Sequence, residues 1–236
     1  MALELARLGA NLTLMGRDVA RLDAHAEAVA QAHGVETAVV HCDVTNPALV
    51  VDAFRIARET FGAPYVLVNN AGQAEAGSLT ATTLEQWNRL LAVNLTGAFL
   101  CMQQVVPAMV AARAGRIVNI ASISGLKAYQ HVVAYTASKH GLIGLTRAAA
   151  AETAKLGITV NAVCPAYTET DMAEIAVRNL MEAGKSRDDA LKMMLRVIPR
   201  GTLITPQEVA ATVGWLCSSE AAAISGQAIA LAGGEP

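Results

Sequence analysis

Tyr135 and Lys139 stand four residues apart in Tyr-Thr-Ala-Ser-Lys, where a long Ala/Leu-rich segment begins whose pattern predicts a helix. Residues at that spacing share a helix face. Ser122 precedes Tyr135 by thirteen positions and follows an apolar run, Arg116–Ala121, that predicts a strand. A free tyrosine has a pKa of about 10 and is a poor base at neutral pH. A lysine ammonium one turn away favours the phenolate and is expected to lower that value. Tyr135 could then pass a proton to a carbonyl oxygen or take one from an alcohol, with Ser122 hydrogen-bonding the same oxygen.

The elements that must position this trio alternate along the chain. Asn11–Met15, Thr37–Cys42, Tyr65–Val68, Arg116–Ala121, Thr159–Val163 and Gln227–Ala232 predict strands. Val19–His33, Asn46–Thr60, Leu84–Met109, Tyr135–Lys155 and Gln207–Cys217 predict helices, several with capping signals such as Asn46-Pro47 and Thr205-Pro206. Strands separated by helices of this length form parallel βαβ units, so the expected fold is α/β with a doubly wound, mostly parallel sheet. One domain spanning 1–236 is expected. Within it, 166–199 is the longest detour between core elements and reads as a substrate lid.

Composition narrows the function classes. The chain is 53% hydrophobic and only 4% aromatic, which suits aliphatic helices packed on a buried parallel sheet. A net charge of −2 with no block of like charge gives no support to nucleic acid or an anionic membrane as partner. The four cysteines are scattered without metal-ligand spacing, so no metal is expected. No signal peptide and no apolar run of membrane-spanning length is apparent, and a soluble, cytoplasmic protein is expected.

With Ser122, Tyr135 and Lys139, further marks follow in order: Asp43-Val44, Asn69-Asn-Ala-Gly72, Asn94 in Asn-Leu-Thr-Gly, and Pro165 with Thr170. Together they resemble the short-chain dehydrogenase/reductase family over nearly the whole chain. The resemblance implies a Rossmann-type fold and hydride transfer between a nicotinamide cofactor and a carbonyl or secondary alcohol. It implies that Lys139 also holds the nicotinamide ribose, with Tyr135 beside it, and that Asn94 carries a water-linked proton relay. Asp43 and Val44 would bracket the adenine, Asn69, Ala71 and Gly72 would line the adenosine side, and Pro165, Thr168 and Thr170 would meet the nicotinamide. Ala166 stands where the family's Pro-Gly-x-x-x-Thr has glycine, which leaves the contacts of Thr168 open.

Cofactor preference is read at the end of the first strand. Nicotinamide enzymes without the 2′-phosphate usually place an acid there, whereas an arginine accommodates that phosphate. Gly16 occupies the acid's position and Arg17 follows, which favours NADP(H) over NAD(H), although Asp18 comes next and Arg17 also suits a plain surface position. The family's opening Thr-Gly-x-x-x-Gly-x-Gly turn, whose amides take the pyrophosphate, has no counterpart here. Met1–Leu8 reads as the back half of the helix that follows it, so the first βα unit is expected to be incomplete or missing, leaving two strand edges open.

The runs around Ser122, Tyr135 and Pro165 look most like 3-oxoacyl-thioester and polyketide ketoreductases. A small-molecule carbonyl or alcohol is the expected partner, with Ser124, Gln130, His131 and Tyr167 as pocket residues. The 3-hydroxybutyrate dehydrogenases are also similar, but they carry a basic residue where this chain has Val132. A cyclic alcohol is a further substrate alternative, and a cofactor-impaired binding or scaffolding subunit is an alternative from another class. Met172, Ile175, Leu180, Met181, Leu191, Met193, Met194 and Leu195 offer an apolar lid face that suits an acyl chain and helix–helix packing equally. The family implies a homo-oligomer, tetramer or dimer, built on the two long helices.

Overall fold

The computed structural model describes residues 1–235. The chain begins with the short helix α1 (Ala2–Arg7) and strand β1 (Leu12–Gly16), then α2 (Val19–His33), β2 (Thr37–His41), α3 (Pro47–Phe61) and β3 (Val66–Asn69). Next come α4 (Leu84–Leu91), α5 (Gly97–Ala112), β4 (Gly115–Ile120), α6 (Val133–Thr153) and β5 (Ile158–Pro165). The remaining elements are α7 (Asp171–Glu182), α8 (Arg187–Leu195), α9 (Pro206–Cys217) and β6 (Ala228–Leu231).

Local chemistry explains most of these boundaries. The Asp18 carboxylate accepts from the Arg21 amide and opens α2, and Gly34 ends it in the left-handed conformation. Asn46 accepts from the amides of Ala48 and Leu49, with Pro47 in the first turn of α3. Thr205 and Glu208 bond each other's backbone in a capping box that starts α9.

Every strand pairing is parallel, but the strands form two sheets. β1 pairs with β2, from Leu12 opposite Thr37 to Gly16 opposite His41. The other sheet has the order β3-β4-β5-β6, with Asn69 opposite Asn119 and Ile120 opposite Val163. β1 and β3 each keep one edge without a strand partner among the described residues. A cleft of 1990 Å³ lies between them, lined by Leu12–Gly16 on one side and Val66–Asn69 on the other.

Alternate side chains of the larger sheet enter opposite cores. Val118 and Val163 pack with Leu5, Val213, Leu216 and Ile198. Ile117 and Val160 pack with Val50, Phe54, Met102 and Val105 from α3 and α5. Residues one apart on a strand face opposite ways, so this division is what a doubly wound sheet with helices on both faces requires.

Two expectations need correction. The helix predicted over Leu84–Met109 is not a regular α-helix throughout: a π-helical turn at 92–96 joins α4 to α5, and the helical run continues to Ala112. The continuous helical stretch Leu84–Ala112 is also long and apolar enough, by length and composition, to cross a membrane. Here its middle packs into the core through Cys101, Met102, Val105 and Met109.

Candidate active site

Strand β4 ends at Ile120, and two residues later Ser122 is fully extended and caps a single 3-10 turn, Ile123–Gly125. The Ser122 Oγ accepts from the Ser124 amide at 3.1 Å. A Cβ on Gly125 would stand 2.8 Å from both the Lys139 carbonyl oxygen and Ile143 Cδ1, so only glycine lets this turn rest directly on α6. That contact brings the Ser122 hydroxyl close enough to the Tyr135 phenol to favour its charged form. Lys139 is 4% exposed. Its Nζ donates to the Ile120 carbonyl at 2.8 Å and lies 5.7 Å from the centre of the Tyr135 ring.

The protonation states differ from the expectation. Burial pushes the Tyr135 phenol above its ordinary pKa, and the nearby Ser122 hydroxyl only partly opposes this. Burial brings Lys139 down to about 8. Desolvation penalises both charged forms, and Lys139 is not among the groups that offset it at Tyr135.

Asn94 sits in the π turn and is 1% exposed. Its Oδ1 accepts from the Gln73 amide at 2.8 Å, while its Nδ2 donates to the Gln73 carbonyl at 2.9 Å and to Ser138 Oγ at 3.0 Å. The Ser138 hydroxyl in turn donates to the Tyr135 carbonyl at 2.7 Å. The Asn94 side chain therefore holds the segment after Gly72 against the first turn of α6. Both of its N–H donors are used in this brace. A Cβ on Gly72 would lie 3.3 Å from Asn94 Oδ1 and 3.5 Å from Lys139 Nζ, which puts that glycine beside the same cluster.

The other predicted cofactor residues gather at the ends of the strands. Two bonds from Thr45 to the Asp43 carboxylate hold it below its usual pKa, and the Arg17 charge adds to this. Val44 packs on Gly97, where a Cβ would come within 2.7 Å of it. Arg17 is exposed and, with Val44, Asn69, Asn70 and Ala71, lines the cleft. Asp18 is occupied as the cap of α2. The Asn69 side-chain Nδ2 donates to Asn119 Oδ1 at 2.8 Å, and Asn119 donates to Thr146, so this side chain ties β3 to β4 and keeps its oxygen and its second N–H available. Past Pro165, the Thr168 hydroxyl donates to the Ala166 carbonyl and that of Thr170 to the Thr168 carbonyl, so both are engaged within their own loop.

The predicted pocket residues separate. Ser124 is buried within the 3-10 turn. Gln130 and His131 are exposed. His131 has a φ of 61°, and its carbonyl accepts from the Gly77 amide at 2.7 Å, so its backbone rather than its imidazole has the defined contact. Tyr167 is partly exposed on the loop after β5, and burial raises the pKa of its phenol. Among the lid residues, Met194, Leu180 and Leu191 pack between α7 and α8 with Ala173, Val177 and Ala190, whereas Met172, Ile175, Met181 and Met193 are exposed.

Three groups near the site had no clear sequence signal. Ser138 was hidden as one more small residue of α6, although its place next to Lys139 could have drawn notice. The Ile120 carbonyl is backbone and leaves no trace in side-chain identity. Tyr129 bonds Glu235 across 106 residues of sequence.

A Tyr/Lys/Ser cluster at the strand ends of a parallel α/β fold defines a class of carbonyl and alcohol oxidoreductases. A family model described as enoyl-(acyl carrier protein) reductase matches residues 1–235. A protein of Streptomyces violaceoruber, described provisionally as ketoacyl reductase 1 of granaticin polyketide synthase, is 38% identical over 99% of this chain and 87% of its own length. The 3-oxoacyl-(acyl-carrier-protein) reductase of Staphylococcus epidermidis is 35% identical over 99% of this chain and 92% of its own. The inactive 2-(S)-hydroxypropyl-CoM dehydrogenase 2 of Xanthobacter autotrophicus is 38% identical over 99% and 98%. Among solved structures, actinorhodin polyketide ketoreductase with NADPH superposes with a TM-score of 0.93 at 34% identity, covering 99% of this chain and 90% of that one. NAD+-bound xylitol dehydrogenase gives 0.94 at 30%, covering 99% and 92%. The chain belongs to the short-chain dehydrogenase/reductase family, oxidoreductases that act on CH–OH groups with nicotinamide cofactors.

The residues present fit the two ends of such a cofactor. Gly72, free of a Cβ beside Lys139 Nζ, suits close approach of a ribose. Asp43, Val44 and exposed Arg17 suit the nucleoside.

Proposed function

We propose that this chain transfers hydride between a nicotinamide cofactor and a ketone or secondary alcohol, with a 3-oxoacyl thioester or related ketone as its substrate class. The observation that carries this is the convergence of Tyr135, Ser122 and Lys139, braced by Asn94 through Gln73 and Ser138. The cofactor supplies the hydride when bound. The chain's own work is to hold the substrate oxygen between the Ser122 hydroxyl and the Tyr135 phenol and to move one proton at the phenolic oxygen. A phenol kept protonated by burial suits the reducing direction, in which Tyr135 acts as an acid. Lys139 would hold the ribose. NADP(H) is favoured over NAD(H) because Arg17 is exposed while Asp18 is used as a helix cap.

The ketoreductase names among the relatives support the substrate class. Val132 in place of a basic residue disfavours a small hydroxy acid. The segment 166–199 is proposed as the lid, with Met172, Ile175, Met181 and Met193 as its available apolar side chains. Assembly as a tetramer or dimer is proposed on the two long helical stretches, Leu84–Ala112 and α6: the most apolar 18-residue window of Leu84–Ala112 is only 33% buried within one chain. A cytoplasmic location is proposed, and the four buried cysteines, all free thiols, are compatible with a reducing compartment.

Assaying β-ketoacyl thioesters, cyclic ketones and secondary alcohols with NADPH and NADH tests the reading. Turnover that falls by about 10²–10⁴-fold in Tyr135→Phe supports it, and an unaffected Tyr135→Phe overturns it. A second reading, a binding or scaffolding subunit with impaired cofactor affinity, is favoured by the cleft between β1 and β3 and by the relative of matching length whose name calls it inactive. NADPH binding in the micromolar range would exclude it.

A further inference from the structure

Helix α6 starts without a capping side chain, although Tyr135 is the third residue of its first turn. Its N-cap residue is Val132, which has no polar group to offer the first amides. An uncapped first turn leaves those amides unsatisfied and frays readily. The residue before Val132, His131, is in the left-handed conformation with φ 61°. The Tyr135 phenol is only as well placed as the turn that carries it, so something outside α6 must hold this entry.

Loop 73–78, between β3 and α4, is tied to that turn at both ends. At one end Asn94 joins Gln73 to Ser138, whose hydroxyl donates to the Tyr135 carbonyl. At the other the Gly77 amide donates to the His131 carbonyl at 2.7 Å, and Gly77 pairs with Val132 in a single parallel bridge. Gly77 in turn rests on the start of α4. A Cβ there would lie 2.8 Å from Thr82 Oγ1 and 3.2 Å from Gln86 Nε2. Gln86 is 8% exposed, and its Nε2 donates to the Ala76 carbonyl at 3.3 Å.

The local sequence offers Gln86 a different use, which it does not take. Thr83-Leu-Glu-Gln86 has the spacing of a capping box, in which the glutamine side chain returns to the threonine amide. Thr83 does accept from the Gln86 amide, at 3.2 Å, but the returning bond is absent among the described residues. At α9 both halves form between Thr205 and Glu208. The Gln86 side chain turns to the loop instead. We propose that Gln86 is a positioning residue for Tyr135, acting through Ala76, Gly77 and the His131 carbonyl. This rests on the proposed oxidoreductase reading and adds to it a group that fixes where the phenol stands.

The test is a double-mutant cycle between Gln86→Met and Tyr135→Phe, run on the ketone that the wild type reduces fastest in the panel above. Methionine keeps the length of the side chain and removes the donor. Alone, Gln86→Met should lower kcat by about tenfold or more while KM stays within about twofold. In the Tyr135→Phe background it should change kcat by less than about twofold, because the group it acts through is gone. Losses that multiply independently overturn the proposal. Gly77→Ala disturbs the same contact from the other side and should show the same pattern; a Gly77→Ala protein with wild-type kcat also overturns it.

Hydrogen exchange in the cofactor-free protein gives a readout that needs no turnover. The Thr136 amide, which donates to the Val132 carbonyl at 2.8 Å, should exchange about tenfold faster in Gln86→Met, while Ile117–Ile120 keep their wild-type rates. Unchanged exchange at Thr136 overturns the proposal, and so does faster exchange throughout β4, which would mean a general loss of stability. An unaffected Tyr135→Phe would instead remove the oxidoreductase reading, with the exchange at Thr136 still reporting on the brace.

Discussion

Lys139 Nζ donates to the Ile120 carbonyl at 2.8 Å, so the ammonium that should support Tyr135 is also the tie between α6 and the last residue of β4. With its pKa brought down to about 8 by burial, Lys139 loses charge within the working range. The kcat/KM profile for carbonyl reduction should therefore fall as pH rises through about 8, and Lys139→Arg should move that fall upward. Folding stability should change the other way. Between about 8 and the ordinary 10.5 the unfolded lysine keeps its proton while the folded one has released it. The unfolded state then binds more protons, and stability rises with pH across that window. Denaturant titrations at pH 7.5 and 9.5 should show this rise in the wild type and its loss in Lys139→Met.

Asn94 makes three hydrogen bonds from a nearly inaccessible position. Asn94→Ala strands the Gln73 amide and carbonyl, and should cost about 2–3 kcal/mol of stability together with most of the turnover. Asn94→Asp keeps the acceptor for Gln73 but loses both donors, so it should not restore the wild type. Urea midpoints and kcat for the two variants check this; an Asn94→Ala protein of wild-type stability would contradict the bracing role.

Gly125 gives a local test of how closely the catalytic turn sits on α6. A Cβ there would meet the Lys139 carbonyl oxygen and Ile143 Cδ1 at 2.8 Å. Backbone cannot yield as a side-chain tip does, so Gly125→Ala should cost about 1–3 kcal/mol and move Ser122 away from Tyr135. Thermal unfolding and kcat should both register it. Gly144, which has open space around it, supplies the control: Gly144→Ala should be neutral or stabilising.

What could be read in the amino-acid order was mostly local. The start of α2 at Asp18, the Asn46-Pro47 entry to α3 and the Thr205 box of α9 are each set by residues within one turn. The Tyr135–Lys139 spacing is likewise set by one helix. The π turn at 92–96 was not legible, because the bonds that surround it run from Asn94 to Gln73 and Ser138, distant in sequence. The protonation of Tyr135 was misjudged for a related reason: the nearby lysine is visible in sequence, whereas the burial that raises the phenol comes from packing of the whole site. Glu235 lay beyond reach, since nothing near it announces Tyr129 as its partner.

The proposed preference for NADPH rests on Arg17 alone. It is exposed and makes no ion pair among the described residues, while the acid beside it, Asp18, is committed to the Arg21 amide. Arg17→Asp should therefore reverse the preference from NADPH to NADH, by about tenfold or more in the ratio of kcat/KM values. Asp18→Ala should leave that ratio alone and instead weaken α2, at about 1 kcal/mol for a lost cap. Steady-state kinetics with both cofactors separates the two variants.

The cleft between β1 and β3 makes the last prediction, and it concerns the backbone. β4 and β5 are paired on both sides, whereas β1 and β3 are each paired on one. In a parallel ladder successive amides alternate between the two neighbours, so about half of those in β1 and β3 point toward the cleft. Amides without a strand acceptor exchange through small local openings, while those in doubly paired strands require something close to global unfolding. Hydrogen exchange should therefore protect Ile117–Ile120 and Val160–Val163 strongly, and show an alternating pattern in Leu12–Gly16 and Val66–Asn69. Adding NADPH should slow exchange at the strand ends near Asn69 and Gly16 if the nucleoside lies against them. Uniform strong protection across β1 and β3 in the free protein would mean that their edges are covered in solution, most simply by a second copy of the chain, and any oligomer that light scattering detects would then have to include that face.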